Sequence, residues 1–230
     1  MTPSNSTGKS RAMDDALRSR LDEISALESS IDLTKRDEYI NAPGWNVEDR
    51  EIALPTESPG PPELDGSFAA AVEILKAYSF TPQRLITGQF DPNVPLEERA
   101  MLLSARFLWI RLELGVRINR VVNETRDGKE GAEQVWGYSY HTLAGHLERG
   151  EITFEVVKVL ATGAMTFRIH SFSQTGHIAN WFYRLGFRIV GRRLQIRFAE
   201  ESLRNMQSKV AARVAEHLSS GAAPAALRQP

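Results

Sequence analysis

Residues capable of acid–base chemistry concentrate in one stretch, GYSYHTLAGHLERGEITFEV, at positions 137–156. Histidine titrates near neutral pH, and a carboxylate bonded to one ring nitrogen would poise the other for proton transfer. His146 follows Gly145 in a turn, and Glu151 stands close enough along the chain to bond its ring. The pair could serve catalysis with help from Tyr140, or it could simply lock the turn. Tyr140, His146 and Glu151 are therefore the candidate catalytic residues.

Other chemistries lack the necessary residues. The chain contains no cysteine, which excludes disulfides, thiolate zinc sites and cysteine nucleophiles. Its five histidines show no H-x-H or HExxH spacing, and no G-x-S-x-G occurs. We expect no metal and no cofactor.

Apolar and polar residues alternate strictly in the sequence around the candidate catalytic residues. In a strand, Trp136, Tyr138 and Tyr140 share one face while Ser139 and His141 share the other. The same parity adds further apolar residues to the aromatic face: Ile152, Phe154, Val156, Met165, Phe167 and Ile169. The polar face should be solvated. Buried tyrosine hydroxyls need partners, so the apolar face is either a plain core or the wall of a ligand pocket.

A basic series in the C-terminal part could complete such a pocket. Arg184, Arg188 and Arg192 recur every fourth residue and suit either a pocket mouth or nucleic acid. No aromatic-interleaved basic surface supports nucleic acid, so we expect no nucleic-acid partner. The predicted ligand-binding residues are therefore Trp136, Tyr138, Tyr140, Phe154, Phe167 and Arg188.

Period-two patterns predict the elements that position these residues. The candidate strands are Arg84–Phe90, Met101–Trp109, Val116–Glu124, Gln134–Leu143, Glu151–Val159 and Met165–Ser173. Short polar turns between them indicate an antiparallel meander, although Met101–Trp109 could also be helical. Residues 42–66, rich in proline, indicate an extended connector. An apolar stripe from Ile178 to Val210 predicts a long C-terminal helix that covers the apolar face.

The N-terminal part forms a separate element in this scheme. Its apolar residues Leu17, Leu21, Ile24, Leu27 and Ile31 follow helical spacing. Such a narrow stripe would pack on the domain or pair with a second copy, making a homo-oligomer. We expect a polar tail and amphipathic helix at 1–42, one domain at 43–218 and a disordered tail at 219–230. Residues 1–42 should be dispensable for folding.

Composition fits a globular cytoplasmic protein. The 230 residues are 42% hydrophobic and 25% charged, enough for a sizeable core. No uncharged run approaches ~20 residues, so no membrane span is expected. The first residues lack the apolar segment of a signal peptide.

Three segments together resemble a known family. GYSYHTLAGHLERGEITFEV, MTFRIHSFSQ and LGFRIVGRRLQIRFAEESL are similar to an uncharacterised family known as domain of unknown function nineteen-ninety. The matching positions are Gly137, Tyr138, Tyr140, Thr142, Leu143, Gly145, His146, Gly150, Glu151, Phe154, Phe172, Ser173, Gln195, Arg197 and Phe198. His141, Ala144 and Gln174-Thr175 depart from the family pattern. The resemblance is specific over 134–205 and weaker from about 43.

The resemblance implies an α+β helix-grip fold, similar to the START and birch-pollen-allergen superfamily: a curved antiparallel sheet wrapped on a long C-terminal helix, here with an N-terminal helical extension. It implies no established activity. We predict binding of a hydrophobic small molecule between sheet and helix. The alternatives are a cyclase- or hydrolase-type enzyme acting on a hydrophobic substrate, and an interaction protein without a ligand.

Overall fold

A computed structural model describes residues 6–107, 110–176 and 181–221, with side chains described within 15–105, 112–176, 193–217 and at 219. Seven antiparallel strands form one sheet in the order β1-β7-β6-β5-β4-β3-β2. The strands are β1 (Asn46–Leu54), β2 (Ile86–Gln89), β3 (Ala100–Phe107), β4 (Ile110–Gly128), β5 (Gly131–Thr142), β6 (Glu148–Val159) and β7 (Met165–Thr175). The helices are α1 (Ser6–Ser25), α2 (Arg36–Asn41), α3 (Ser67–Lys76) and α4 (Trp181–Gly221), with short 3₁₀ turns at Leu33–Lys35 and Leu96–Glu98. The predicted fold class is confirmed: β2 to β7 form a meander, and a long C-terminal helix follows it.

The register confirms the predicted alternation. Tyr138 pairs with Phe154, which pairs in turn with Ile169, and Trp136 pairs with Val156 opposite Phe167. All of these residues belong to one buried cluster on the face that we call the inner face. His141 lies on the opposite, outer face, as parity requires.

Two helices, rather than one, cover the inner face. Leu203, Met206 and Val210 of α4 join the buried cluster, as predicted for the C-terminal helix. The cluster also takes most of its helical residues from α3: Phe68, Ala71, Val72, Ile74 and Leu75. The Tyr138 hydroxyl donates to the carbonyl of Leu75 at 3.2 Å, so α3 supplies the partner that this buried tyrosine needs.

The predicted connector at 42–66 contains a strand. Residues 46–54 form β1, which pairs with β7 along its full length, from Asn46 opposite Ser173 to Leu54 opposite Met165. Parity places Glu48 and Arg50 on the inner face, where apolar residues are usual. Two inward charges hide the alternation on which strand prediction depends.

The remainder of the connector is fastened by a buried ion pair. Lys158 Nζ lies 2.6 Å from Glu57 Oε2, with side chains 0% and 2% exposed. Glu57 also accepts hydrogen bonds from the amides of Phe68 and Glu63, at 2.7 and 3.1 Å. These bonds satisfy a free amide at the start of α3 and hold residues 57–68 on the sheet.

The outer face is solvated over only part of its area. Near β3, Leu21 and Ile24 of α1 bury against Leu102 and Leu143. Gly115 permits this approach, because a Cβ there would lie 3.0 Å from Ile24 Cγ2. Leu27 lies beyond the end of α1 and is exposed, so the predicted apolar stripe is shorter than expected.

Residues 28–36 continue across the outer face. Ala144 N donates to Glu28 O at 2.8 Å, and Ser30 N donates to Thr142 O at 3.0 Å. Ser29 forms an isolated antiparallel bridge with Leu143. His141 and Glu151 are consequently 3% and 6% exposed, so the predicted solvation of this face is wrong here.

Candidate functional site

A cavity of about 230 Å³ lies between the inner face and α4. Its apolar wall comes from the β2–β4 half of the sheet and from α4: Leu85, Ile86, Leu103, Ala105, Leu112, Leu114, Leu194, Phe198 and Ala199. Its polar groups gather where β6 and β7 face β1 and α4: Glu48, Arg50, Tyr140, His146, Glu148, Ser171, Ser173 and Gln195. The cavity therefore has an apolar body and a polar end.

The β5–β6 hairpin builds part of that polar end. Gly145 adopts φ +85°, a left-handed conformation that glycine tolerates without strain. Thr142 Oγ1 accepts a hydrogen bond from Gly150 N at 3.0 Å, which ties the two ends of the hairpin together. A Cβ on Gly150 would collide with the carbonyl of Phe172, so glycine permits the close pairing with β7.

His146 is held within this hairpin by the backbone. Its Nδ1 accepts a hydrogen bond from Glu148 N at 3.0 Å. Burial lowers the pKa of His146 from its usual 6.5 to about 4, so the ring is neutral at pH 7. Because Nδ1 accepts, the hydrogen of the neutral ring resides on Nε2. His146, which lines the cavity, thus has an imidazole N–H donor at Nε2.

Gln195 joins α4 to the hairpin. Its Nε2 donates to both carboxylate oxygens of Glu148, at 2.5 and 2.6 Å, and lies 3.4 Å from Ser173 Oγ. One α4 side chain therefore contacts both β6 and β7 at the polar end. The Glu148 carboxylate is fixed in position as a result.

Strand β1 adds a charged pair to the same end. Arg50 donates from Nε to Glu48 Oε2 at 3.0 Å, and its Nη1 lies 3.9 Å from a Glu200 oxygen. The guanidinium is thus engaged by carboxylates of β1 and α4. Its positive charge is largely compensated locally.

Tyr140 joins the cavity wall to the buried core. Its hydroxyl lies 3.2 Å from that of Tyr78. Burial raises the pKa of Tyr140 to about 12, so the hydroxyl stays protonated at neutral pH. Tyr140 therefore lines the cavity as a neutral side chain whose hydroxyl is bonded within the core.

All three predicted catalytic residues border the cavity. The Glu151 carboxylate, however, accepts hydrogen bonds from Arg36 Nη2 and, at 2.8 Å, from Asn119 Nδ2. The expected bond from Glu151 to the His146 ring is replaced by these contacts and by the Glu148 amide. A catalytic role for Tyr140, His146 and Glu151 stays a prediction.

The predicted ligand-binding residues separate into two groups. Tyr140 lines the cavity. Trp136, Tyr138, Phe154 and Phe167 pack in the core; Phe80 contacts Phe154 and Phe167 with ring centroids 4.8 and 5.6 Å apart. The side chain of Arg188 lies outside the described residues. Ligand contact by these five stays a prediction.

Several cavity residues were not predicted from the sequence as site residues. Glu148, Ser173 and Gln195 lie in the segments that carry the family resemblance, and that was the available signal. Glu48 and Arg50 gave none, because exposed strands usually carry such charges. The described side chains hold no cluster of three or more metal-ligating residues.

The chain belongs to the family described as domain of unknown function DUF1990, whose model matches residues 31–205. The match begins before residue 43 and so includes part of the N-terminal segment that crosses the outer face. No curated protein matches the chain. None of the helices described here is long and apolar enough to cross a membrane.

Solved structures show the same general arrangement. The chain is similar to Ara h 8.0201, with 13% identity over 74% of this chain and 99% of that one and a TM-score of 0.40. The protein TTHA0849 of Thermus thermophilus gives 10% identity, coverages of 73% and 98% and a TM-score of 0.45. Norcoclaurine synthase of Thalictrum flavum, in complex with dopamine and hydroxybenzaldehyde, gives 12% identity over 75% of this chain and 88% of that one, with a TM-score of 0.45. Likeness at this level concerns the arrangement of helices and strands and carries no argument about function.

Proposed function

We propose that the chain binds a small hydrophobic molecule in the cavity between the sheet and α4. The observation that carries this proposal is the cavity itself: about 230 Å³ bordered by leucine, isoleucine, alanine and phenylalanine side chains. Native interiors are packed with few voids larger than water, so such a space is unusual in a plain core. An apolar cavity of about 150 Å³ suffices to hold benzene in another protein. A molecule with one or two rings would therefore fit.

The distribution of polar groups supports binding in a defined orientation. Ligand sites combine an apolar wall with a few fixed polar groups that orient the ligand. Here the polar groups lie at one end, and Gln195 and the hairpin backbone hold them in place. This arrangement also weighs against the alternative of an interaction protein whose interior is only core.

The enzyme alternative has less support from the same geometry. His146 already accepts a hydrogen bond through Nδ1, which leaves Nε2–H as a donor rather than a base. Its pKa of about 4 and the pKa of about 12 of Tyr140 lie far from the range suited to proton transfer at neutral pH. Binding without turnover is the simpler function of these groups.

We place this binding in the cytoplasm, with support from the absence of cysteine. Association of two copies through the N-terminal helix stays a prediction. Leu21 and Ile24 of its stripe already pack on the sheet of the same chain.

A cavity-filling substitution tests the proposal. Ala105→Phe places a ring inside the cavity, whereas Ala211→Phe makes the same change at an exposed position of α4. Titration with the two-ring fluorescent probe 1-naphthylamine should show at least about tenfold weaker binding for Ala105→Phe and unchanged binding for Ala211→Phe. Thermal unfolding establishes that both variants are folded. If Ala105→Phe does not fold, Ala199→Met tests the α4 side of the wall.

Equal binding by wild type and a folded Ala105→Phe would refute the cavity as the binding site. Native mass spectrometry of protein purified from its own host provides a second test. A small molecule that co-purifies with wild type and with Ala211→Phe, but not with Ala105→Phe, would support the proposal. A co-purified molecule retained by Ala105→Phe would contradict it.

A further inference from the structure

Two buried tyrosine hydroxyls meet at the edge of the cavity. The hydroxyl oxygens of Tyr78 and Tyr140 lie 3.2 Å apart, and the two residues are 3% and 7% exposed. A single hydrogen bond between two hydroxyls uses only one of their two hydrogens. Among the described residues, neither hydroxyl has a second hydrogen-bond partner. Because a buried donor without a partner is costly, the other hydrogen needs an acceptor that these residues do not supply.

An unusual backbone conformation holds Tyr78 against Tyr140. Tyr78 follows Ala77, the C-cap of α3, and has φ +52°, in the left-handed region where glycine is usual. Its amide donates to Leu75 O at 2.9 Å, as expected at such a helix end. Its ring packs closely on Gly88, where a Cβ would lie 2.6 Å from Tyr78 Cδ1. Residues strained in this way concentrate at functional sites, so the strain supports a functional role for the hydroxyl pair.

Only one of these two tyrosines lines the cavity. Tyr140 borders it, whereas Tyr78 packs within the core cluster. If Tyr78 donates to Tyr140, the remaining hydrogen belongs to the residue that borders the cavity and can be donated to a bound molecule. The opposite direction would leave that hydrogen on Tyr78, inside the core. The first arrangement is therefore the one that a ligand can satisfy.

His146 adds a second donor to the same cavity. Its Nδ1 accepts a hydrogen bond from Glu148 N at 3.0 Å, so the hydrogen of the ring is on Nε2. Nε2–H has no partner among the described residues, and His146 lines the cavity. The carboxylates of the wall already accept from protein donors, Glu48 from Arg50 and Glu148 from Gln195. The two donors are therefore the groups for which a ligand would supply the partner.

A carbonyl oxygen is the ligand group that satisfies such donors completely. It has two lone pairs and no hydrogen, so it accepts from one donor or from both. An alcohol or an amine would bring a hydrogen that itself needs an acceptor. A buried carboxylate needs a compensating charge, and both donors are uncharged. The guanidinium of Arg50 is already engaged by Glu48 and Glu200, at 2.9 and 3.9 Å.

We infer that the cavity selects hydrophobic molecules bearing a neutral carbonyl group, whose oxygen accepts hydrogen bonds from the Tyr140 hydroxyl and from His146 Nε2–H. This inference rests on the proposed function. It makes Tyr140 and His146 the residues that determine specificity, with Tyr78 as the donor to the Tyr140 oxygen.

A pair of nearly isosteric ligands tests the inference. 2-Acetylnaphthalene carries a carbonyl oxygen where 2-isopropenylnaphthalene carries a CH₂ group, on the same two-ring body. Each compound displaces the fluorescent probe 1-naphthylamine from the protein at pH 7, and the ratio of the two dissociation constants gives the carbonyl preference. Wild type should prefer 2-acetylnaphthalene at least about tenfold, since the alkene leaves both donors unpaired. A ratio of about one would overturn the inference.

Matched variants locate the effect. Tyr140→Phe and His146→Phe each remove one donor and keep a ring in the wall, so each should lower the preference several-fold. His146→Gln keeps an N–H near the position of Nε2 and should retain more of the preference than His146→Phe. Tyr39→Phe removes a hydroxyl from α2, where it accepts from Asp32 N at 3.1 Å, and should leave the ratio unchanged. Unchanged ratios in both Tyr140→Phe and His146→Phe would overturn the assignment of the donors.

The ligand carbonyl provides a direct readout of the same contacts. A hydrogen bond to a carbonyl oxygen lowers its stretching frequency. Infrared difference spectra of bound 2-acetylnaphthalene, isotopically labelled at the carbonyl carbon, should therefore show a lower frequency in wild type than in Tyr140→Phe or His146→Phe. A loss of stability alone does not move this frequency. The same value in all three proteins would contradict the proposed contacts.

The outcomes separate this inference from the proposed function. If 1-naphthylamine binds wild type but not Ala105→Phe, the cavity is a binding site, and a carbonyl preference of about one then overturns only the inference. Tighter binding of 2-naphthoate than of 2-acetylnaphthalene would likewise overturn the choice of a neutral carbonyl. If 1-naphthylamine and both naphthalene compounds fail to bind wild type, the proposed function itself is overturned.

Discussion

The two faces of the sheet differ in how their buried polar groups are satisfied. On the inner face, buried polar groups are few and nearly all are bonded: Tyr138 to Leu75, Tyr140 to Tyr78, and Lys158 to Glu57. On the outer face, the N-terminal segment buries a more polar set, in which both ring nitrogens of His141 have no hydrogen-bond partner among the described side chains. The inner face is therefore a packed core that borders the cavity described above. The outer face is a polar surface that α1 and residues 28–36 partly bury.

The difference concerns how each face is stabilised. Burial of large apolar side chains supplies the inner face with most of its free energy. The outer face depends on specific contacts that cross more than a hundred residues of sequence, such as Arg36 with Glu151. Mutations on the inner face should therefore have large costs that grow with the apolar volume removed, and mutations on the outer face should have costs tied to particular partners.

Adjacent residues of β6 give the strongest contrast. Phe154 is fully buried on the inner face, and its truncation to alanine should cost about 3–5 kcal/mol in the free energy of unfolding. Thr153, on the outer face, loses only its hydrogen bond with Ser139 at 2.7 Å, and Thr153→Ala should cost about 1 kcal/mol. Urea denaturation of both variants measures the difference. Similar losses would contradict the assignment of the faces.

A second contrast lies among the ion pairs. The Glu151 side chain is 3% exposed, so Arg36→Ala leaves a buried carboxylate with Asn119 as its remaining partner among the side chains described, and should cost about 3 kcal/mol. Arg20→Ala is the matched control: Arg20 contacts Glu113 with side chains 51% and 44% exposed, and its loss should change the free energy of unfolding far less than Arg36→Ala does. Denaturant midpoints measure both.

The double variant Arg36→Ala/Glu151→Ala sharpens this test. It should lose clearly less stability than the sum of the single losses, because both changes remove one shared interaction. Additive losses would mean that the two side chains act independently and that the segment is held by its backbone contacts alone.

The inner face could be predicted because its signal is local. Alternation of Trp136, Tyr138 and Tyr140, repeated in β6 and β7, is sufficient to assign the residues to their faces. The covering of the outer face could not be predicted in the same way. Residues such as Glu151 and His141 have the polarity of a solvated face, and only a partner distant in sequence buries them.

The cavity residues could be predicted from the sequence only in part. The family resemblance includes Ser173 and Gln195. Their proximity could not be predicted, because tertiary packing alone brings this strand residue and this helix residue together. Strand β1 was predicted only as part of an extended connector. Its Glu48 and Arg50 lie on the inner face, so the strand lacks the apolar alternation by which strands are recognised. Functional positions are where local pattern and global structure most often disagree.

The third prediction concerns pH and the buried histidine of the outer face. Burial, followed by the nearby charges of Arg117 and Arg36, lowers the pKa of His141 from its usual 6.5 to about 4. As pH falls below 6.5, the unfolded chain takes up a proton at this residue before the folded chain does. Stability that is fully present at pH 7 is therefore lost between about pH 6.5 and 4, and by about 2 kcal/mol at pH 5 for one such residue.

The variant His141→Gln should remove that part of the pH dependence. Denaturant unfolding at pH 7 and pH 5 should show a smaller difference for His141→Gln than for wild type, while the contribution of His146 persists. Ser139→Ala, a neutral change at a neighbouring buried position, should shift both values and keep their difference. An unchanged difference in His141→Gln would mean that water or other groups stabilise the protonated ring in the folded chain.

The smallest expected loss of stability concerns the glycines in the two hairpins at the ends of β5. Gly145 and Gly131 adopt φ +85° and +111°, and a Cβ at either would meet no atom within 4 Å. Each substitution by alanine should therefore cost about 1 kcal/mol through backbone strain alone. Thermal or urea unfolding should give similar losses for Gly145→Ala and Gly131→Ala.

Ligand binding should distinguish these two hairpins even though stability does not. Gly145 precedes His146 in the hairpin that borders the cavity, so relief of its strain would displace the Nε2–H donor. Gly131 lies at the other end of β5, remote from the cavity lining. Gly145→Ala should weaken binding of 1-naphthylamine several-fold, while Gly131→Ala should leave it unchanged. Because a displacement of about 1 Å is enough to lose a hydrogen bond, unaltered binding by Gly145→Ala would indicate that His146 does not contact the ligand.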